Sequence, residues 1–137
     1  MRLRIVDPTT ILVDTEVTAV NAEDASGRFG VLARHADFLT ALTISVVSWK
    51  TPEGKAGYCA VRKGILTVSG GQEVAIATRE GHVGTDLATL KSQVLVQYQA
   101  HDERERAERT ASTKLRMQAI RNMVAELQGS DTRGFGL

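Results

Sequence analysis

The hydrophobic period of this chain changes once, at Gly84-Thr85-Asp86, and that change bounds what the chain can fold into. Before it, short β-branched and apolar runs are broken by turn residues roughly every eight to twelve positions, the pattern of an all-β sandwich or barrel. Leu3–Val6 and Ile11–Val13 flank the turn Asp7-Pro8-Thr9, and an alternating run from Glu16 through Val17, Ala19, Val20 and Ala22 ends at Asp24-Ala25-Ser26-Gly27. Ile44–Trp49 and Tyr58–Val61 are joined through Thr51-Pro52-Glu53-Gly54, and Ile65–Val68 and Val74–Ala77 through Ser69-Gly70-Gly71-Gln72, two strong hairpin signals.

After residue 84 the apolar residues fall at helical steps. Thr85 or Asp86 can cap a helix N-terminus, and Leu87, Leu90, Val94, Tyr98 and His101 form one stripe. Asp102→Arg106 and Glu105→Arg109 are i,i+4 pairs in the favourable order. The weak helix formers Thr110-Ala111-Ser112-Thr113 predict a bend. Leu115, Ala119, Ile120, Met123, Val124 and Leu127 then form a second stripe that Gly129 should end. The expected architecture is mainly β plus α: an N-terminal antiparallel β-sandwich of about ten strands over 1–84, then an antiparallel helical hairpin over 85–137 with a frayed tail from Ser130 to Leu137.

Composition narrows the function classes. In 137 residues there is room for one domain, or one with an appendage. Aromatics are only 4%, so Val, Leu, Ile and Ala must fill the core. A formal net charge of +1 supplies no general field for nucleic acid or acidic membranes. The lone Cys59 cannot form an internal disulfide and reads as a small core hydrophobe. No apolar run approaches the roughly 18 residues of a membrane span, and the N-terminus reads as a strand rather than a signal peptide. A soluble, cytoplasmic chain is expected.

Candidate chemistry is sparse. His82 and His101 lie far apart, in a linker and on a helix face, and no His/Cys/Asp/Glu group has metal-ligand spacing. No acid/base pair or triad stands out, Gly70-Gly71 lacks the rest of a phosphate loop, and no catalytic, metal or cofactor site is expected. The segment Gly27-Arg28-Phe29-Gly30-Val31-Leu32-Ala33-Arg34-His35 reads as a tight reversal feeding a buried strand, with Gly27 and Gly30 free to take positive φ or to allow close approach. His35 is either an interface residue or a turn histidine bonded to local backbone. Phe29 and Phe38 read as buried residues of adjacent strands, and Trp49 as an edge-of-core residue. Lys114, Arg116 and Arg121, against Glu126, make the second helix locally basic, which suits a solvated face or an acidic partner.

That Gly-x-Phe-Gly-Val-Leu-x-x-His segment resembles the epsilon subunit of F-type ATP synthases. The resemblance extends over nearly the whole chain: Val61-Arg62-Lys63-Gly64-Ile65-Leu66-Thr67-Val68 is similar to the family's second signature, and Gly84-Thr85-Asp86-Leu87 to the opening of its helices. It implies a rotor subunit of a bacterial enzyme, peripheral on the cytoplasmic face of the membrane. Such a subunit binds gamma and the c-ring, couples the two during ion-driven ATP synthesis, and restrains ATP hydrolysis through its helical hairpin. By the same resemblance, Arg28, Phe29, Arg34 and His35 are partner contacts, and Lys114, Arg116 and Arg121 meet an acidic loop of the beta subunits. Three departures stand out. Asp37 replaces a usual proline after His35-Ala36, Arg28 replaces a usual acidic residue, and Leu87-Ala88-Thr89-Leu90-Lys91-Ser92 replaces an ATP-binding motif, its carboxylate lost at Ala88 and its guanidinium at Lys91. These departures suggest a divergent variant ATPase that does not bind ATP at this position. The competing reading is a free-standing β-sandwich binding module that dimerises through its helices.

Overall fold

The structure, a computed structural model, describes residues 1–135, with side chains described through Leu127. The hairpin signals are where the chain reverses. β1 (Arg2–Val6), β2 (Ile11–Glu16), β3 (Ala19–Asp24), β4 (Gly27–Leu32), β5 (Phe38–Ala41), β6 (Ser45–Lys50), β7 (Ala56–Arg62), β8 (Ile65–Ser69), β9 (Glu73–Ala77) and β10 (Glu80–Gly84) form two five-stranded sheets. The first has the order β2-β1-β9-β8-β5 and the second β10-β7-β6-β3-β4. The expected β-sandwich of about ten strands is therefore present. Its pairings are antiparallel except one: β1 runs parallel to β9.

Alternation decides what the sheets bury. Leu3 and Ile5 of β1, Leu66 and Val68 of β8, and Val74 and Ile76 of β9 point inward and meet Val20, Val47, Cys59 and Val61 of the second sheet. Aliphatic side chains fill this core, as the low aromatic content requires. Trp49 joins it, 7% exposed, its indole lying over Gly57 on the paired strand. Tightly packed aliphatic interiors of this kind supply most of a small domain's stability.

Helical structure starts where the capping residues predict. Asp86 Oδ1 accepts from Ala88 N–H at 3.0 Å, and Thr89 Oγ1 donates to Asp86 Oδ2 at 2.6 Å. α1 (Leu87–Thr89) passes through a π-helical turn (Leu90–Val94) into α2 (Leu95–Phe135). The expected hairpin is thus one continuous helical run, without a bend at Thr110–Thr113. The reason is local. No proline or glycine interrupts that stretch, each Ser or Thr lowers helix propensity by only a few tenths of a kcal/mol, and Thr110 Oγ1 donates back to the Arg106 carbonyl at 2.9 Å. The helix continues past Gly129, and the frayed tail expected over Ser130–Leu137 lies outside the residues whose side chains are described. Two compact units result, Met1–Gln99 and Ala100–Leu137.

Some elements differ from their sequence reading. His82 lies in strand β10 rather than in a linker, paired with Ala60. Phe29 is half-buried and Phe38 is 37% exposed, because each sits on an edge strand of a different sheet. Asp102 pairs with Arg106 at 2.7 Å as expected. Glu105 instead engages His101 Nε2 at 3.0 Å, while Arg109 Nε donates to the Glu105 carbonyl at 3.4 Å.

Candidate functional site

The outward residues of the first sheet form three rows across its strands, set by the pairing register. Glu16, Arg2, Glu73 and Ser69 make a polar row. Asp14, Arg4, Ala75, Thr67 and Leu39 make a mixed one. The third is apolar throughout, one residue per strand: Ile11, Val6, Ala77, Ile65 and Ala41. Ile11 is 58% exposed, Ile65 49%, and Leu39 in the neighbouring row 68%. A contiguous apolar strip left in water across five strands is the usual mark of a binding surface rather than of a free face.

Charge is confined to the other end of this face and is internally matched. Arg2 Nε donates to Asp14 Oδ1 at 2.7 Å, Arg4 Nη2 lies 3.8 Å from Asp14 Oδ2, and the terminal amine lies 3.2 Å from Glu16 Oε2. The hydrogen bond from Arg2 holds the Asp14 carboxyl below the usual carboxylate range. A hollow of about 110 Å³ opens between Arg2, Arg4, Glu73, Val74 and Ala75.

A second feature lies where the β4–β5 turn meets the β8–β9 hairpin. Gly70 and Gly71 both have positive φ, 61° and 66°. Gly71 lets the two backbones touch: a Cβ there would stand 2.7 Å from Arg34 Cα. Arg34 N–H donates to the Gly71 carbonyl at 2.8 Å, and Gly70 N–H to Asp37 Oδ1 at 2.8 Å. Asp37 thus ties its turn to the hairpin by a hydrogen bond, in the place where proline would stiffen it through its ring. Phe38 packs edge-on against Phe29 at 5.6 Å and lies 5.9 Å from the His35 ring. His35 Nδ1 stands 2.7 Å from the Ala36 carbonyl, so this histidine is bonded to its own turn. Arg28 is exposed on β4 and reaches the Val46 carbonyl at 3.4 Å. Gly27 has φ of 118°, whereas a Cβ at Gly30 would lie 3.3 Å from Oδ1 of the exposed Asn21 side chain, a tight approach that a small shift of that side chain relieves.

The remaining expected contacts lie on α2, where Lys114, Arg116 and Arg121 are all exposed. Lys114 and Arg121 line one shallow groove with Met117 and Gln118. At about 100° per residue Arg116 falls on the opposite side of the helix, beside Ile120, Met123 and Leu127, so the three cations do not form one face.

No other chemistry converges. Among the described residues no group of three or more His, Cys, Asp or Glu could hold a metal, and no helix is long and apolar enough to cross a membrane. Burial pushes the Cys59 thiol up to about 11, which suits a core filler and not a nucleophile. Sequence reasoning missed Ile11, Leu39 and Ile65 as surface residues. Ile65-Leu66-Thr67-Val68 reads as an apolar strand, and only the cross-strand register aligns its outward members with those of four other strands.

The family description "ATP synthase, Delta/Epsilon chain, beta-sandwich domain" matches residues 1–84. The chain is 40% identical over 131 residues to ATP synthase epsilon chain 2 of Paraburkholderia xenovorans, covering 95% of this chain and 94% of that one. It is 36% identical to ATP synthase epsilon chain 2 of Cereibacter sphaeroides, covering 98% and 95%. Among solved structures, a chain of the Euglena gracilis mitochondrial ATP synthase, OSCP/F1/c-ring, matches with a TM-score of 0.56 at 23% identity, over 59% of this chain and 51% of that chain. A chain of the Tetrahymena thermophila mitochondrial ATP synthase central stalk and c-ring matches with a TM-score of 0.51 at 10% identity, over 60% and 65%. At those identities the structural likeness speaks for the fold.

Proposed function

We propose that this chain, which belongs to the ATP synthase delta/epsilon chain family, is a non-catalytic central-stalk subunit of a bacterial F-type ATP synthase. It couples the gamma subunit to the membrane c-ring during ion-driven ATP synthesis, from the cytoplasmic face of the membrane. The observation that carries this reading is the apolar row Ile11, Val6, Ala77, Ile65 and Ala41, with Leu39 beside it, which we assign to gamma. The end of the sandwich bearing Arg28, Phe29, Arg34 and His35 is assigned to the c-ring, where a rigid, doubly tied turn suits torque transfer. The departures at Arg28, Asp37, Ala88 and Lys91 support a divergent member of the family, and the two relatives reported above are designated epsilon chain 2.

Size-exclusion chromatography of the chain mixed with a gamma subunit from the same organism tests the assignment. A one-to-one complex is expected, with the free chain monomeric. Ile65→Asp should weaken that complex at least about tenfold, since it places an unpaired charge in a desolvated contact. The thermal unfolding of the free chain should stay within about 0.5 kcal/mol, as for other surface changes. Elution as a dimer with no gamma complex would instead favour the helix-dimerised binding module.

Restraint of ATP hydrolysis is assigned to α2, through Lys114 and Arg121 meeting an acidic loop of the beta subunits. Replacing both by alanine should raise the ATPase activity of the assembled complex several-fold, while Arg116→Ala, on the other side of the helix, should do less. Equal activity in all variants would remove the assignment. ATP plays no part at the head of the helix in this reading. Leu87 and Leu90 there turn onto the sandwich, and Ala88 and Lys91 stand where the family's nucleotide-binding acid and arginine would be. Titration calorimetry should therefore detect no micromolar ATP affinity.

A further inference from the structure

The first turns of the helical run are built into the sandwich. Leu90 is 2% exposed and packs with Val46 of β6 and Ala60 of β7, on the outer face of the second sheet. Leu87, Val94, Leu95 and Tyr98 close around this plug, together with Tyr58. Gly84 makes room for it: a Cβ there would lie 3.0 Å from Leu90 Cδ2. The π-helical turn touches β6, β7 and β10. Burial also pushes the Tyr98 hydroxyl up to about 12, with the negative charge of Glu80 on β10 adding to it. The start of the run is pinned by the two Asp86 bonds described above. The segment therefore has its own hydrophobic cluster, a cap and a glycine-lined seat. From Ala111 to Leu127, by contrast, every described side chain is exposed.

We propose that residues 87–98 are a fixed root, a part of the sandwich that stays docked while the helix beyond it engages partners or changes conformation. The regulatory arm would then begin after Tyr98, not at the Gly84-Thr85-Asp86 boundary where the hydrophobic period changes. The physical reason is the ordering of local stabilities. Segments with buried apolar contacts open rarely, and segments whose side chains are all in water open first. A π-helical turn within a helix often marks a functional position, and here it lies in the stretch that seats Leu90. The consequence for regulation rests on the reading of α2 as the restraining arm, but the root itself does not.

Hydrogen exchange of the full chain, free and in the assembled complex, tests this. In the free chain the amides of 91–98 should exchange at least about tenfold more slowly than those of 111–127. In the complex, their protection should change less than about twofold between hydrolysing and non-hydrolysing conditions, whatever the later helix does. Leu90→Ala should speed exchange across 91–98 about tenfold while leaving β1 and β9 unchanged. Exchange over 91–98 that matches 111–127 in the free chain would overturn the root. So would loss of its protection together with the later helix, or indifference to Leu90→Ala. Failure of the chain to join gamma would refute the stalk reading alone, because the free-chain exchange decides the root independently.

Discussion

Gly71→Ala is expected to destabilise the protein by about 3 kcal/mol, far more than a surface glycine in a turn should cost. Two penalties coincide. The backbone at Gly71 has φ of 66°, where a Cβ costs roughly 1–2 kcal/mol. The added methyl would also stand 2.7 Å from Arg34 Cα, a backbone atom that cannot rotate away. The β4–β5 turn would have to lift off the hairpin, which weakens the Arg34-to-Gly71 hydrogen bond of 2.8 Å and the Gly70-to-Asp37 bond of 2.8 Å. Gly70 is the internal control. Its φ is 61° but nothing lies within 4 Å of its Cβ position, so Gly70→Ala should cost only about 1 kcal/mol. Urea unfolding followed by fluorescence measures both, and equal losses at the two positions would show that the turn contact contributes nothing.

A second large effect is expected at Gly57. This residue faces Trp49 across β6–β7, and a Cβ there would lie 2.2 Å from Trp49 Cε2, inside the indole itself. Gly57→Ala must push the ring out of the core cluster it completes, at a cost of about 3 kcal/mol by analogy with overpacked interiors. Trp49 is the chain's one tryptophan, so its emission reports the displacement directly and should move to longer wavelength in the folded variant. Gly64 supplies the comparison. Its Cβ position is 3.5 Å from Leu42 Cδ1, an ordinary contact, so Gly64→Ala should stay within about 1 kcal/mol and leave the emission unchanged. A Gly57→Ala protein with native emission and stability would mean that the indole has a second seat.

Acid should loosen the loops before the core. Asp24 accepts from Ser26 Oγ at 2.5 Å and from Thr40 Oγ1 at 2.8 Å, and these bonds hold its carboxyl below the usual range. A depressed carboxylate stabilises the fold above its unfolded pKa of about 3.9, and that contribution fades as pH falls through the folded value. Asp7 and Asp86 are lowered by bonds from the residues two and three positions on, and Asp14 by the cross-strand hydrogen bond from Arg2, so the loss falls in one window below about pH 4.

What was legible in the chain was what depends on near neighbours. Thr51-Pro52-Glu53-Gly54 and Ser69-Gly70-Gly71-Gln72 mark their reversals because positive φ is a property of single residues, and Gly54, Gly70 and Gly71 all adopt it. Asp86 marks the helix start because a carboxylate two residues before an N–H can cap it wherever the helix later goes. Residues 61–68 and 27–35 carried the family resemblance for the same reason, as short motifs with local geometry.

Long-range register was decided only in the folded molecule. Nothing in Leu3–Val6 announces that it will lie parallel to Val74–Ala77, and nothing in Ile11, Val6, Ala77, Ile65 or Ala41 announces that they will share one row. Ile11, Val6, Ala77 and Ile65 read only as members of separate short apolar runs, and Ala41 as part of none, until four pairings align them. The helices followed the same rule in reverse. Two stripes with a weak stretch between them permit a hairpin, but with no proline or glycine to break Thr110–Thr113 the backbone hydrogen bonds simply continue. Local sequence thus determined the turns, caps, core composition and class of this protein. The apolar row of the first sheet and the seat of Leu90 arise from contacts between residues far apart in the chain, whose free energy exists only once the sheets are assembled.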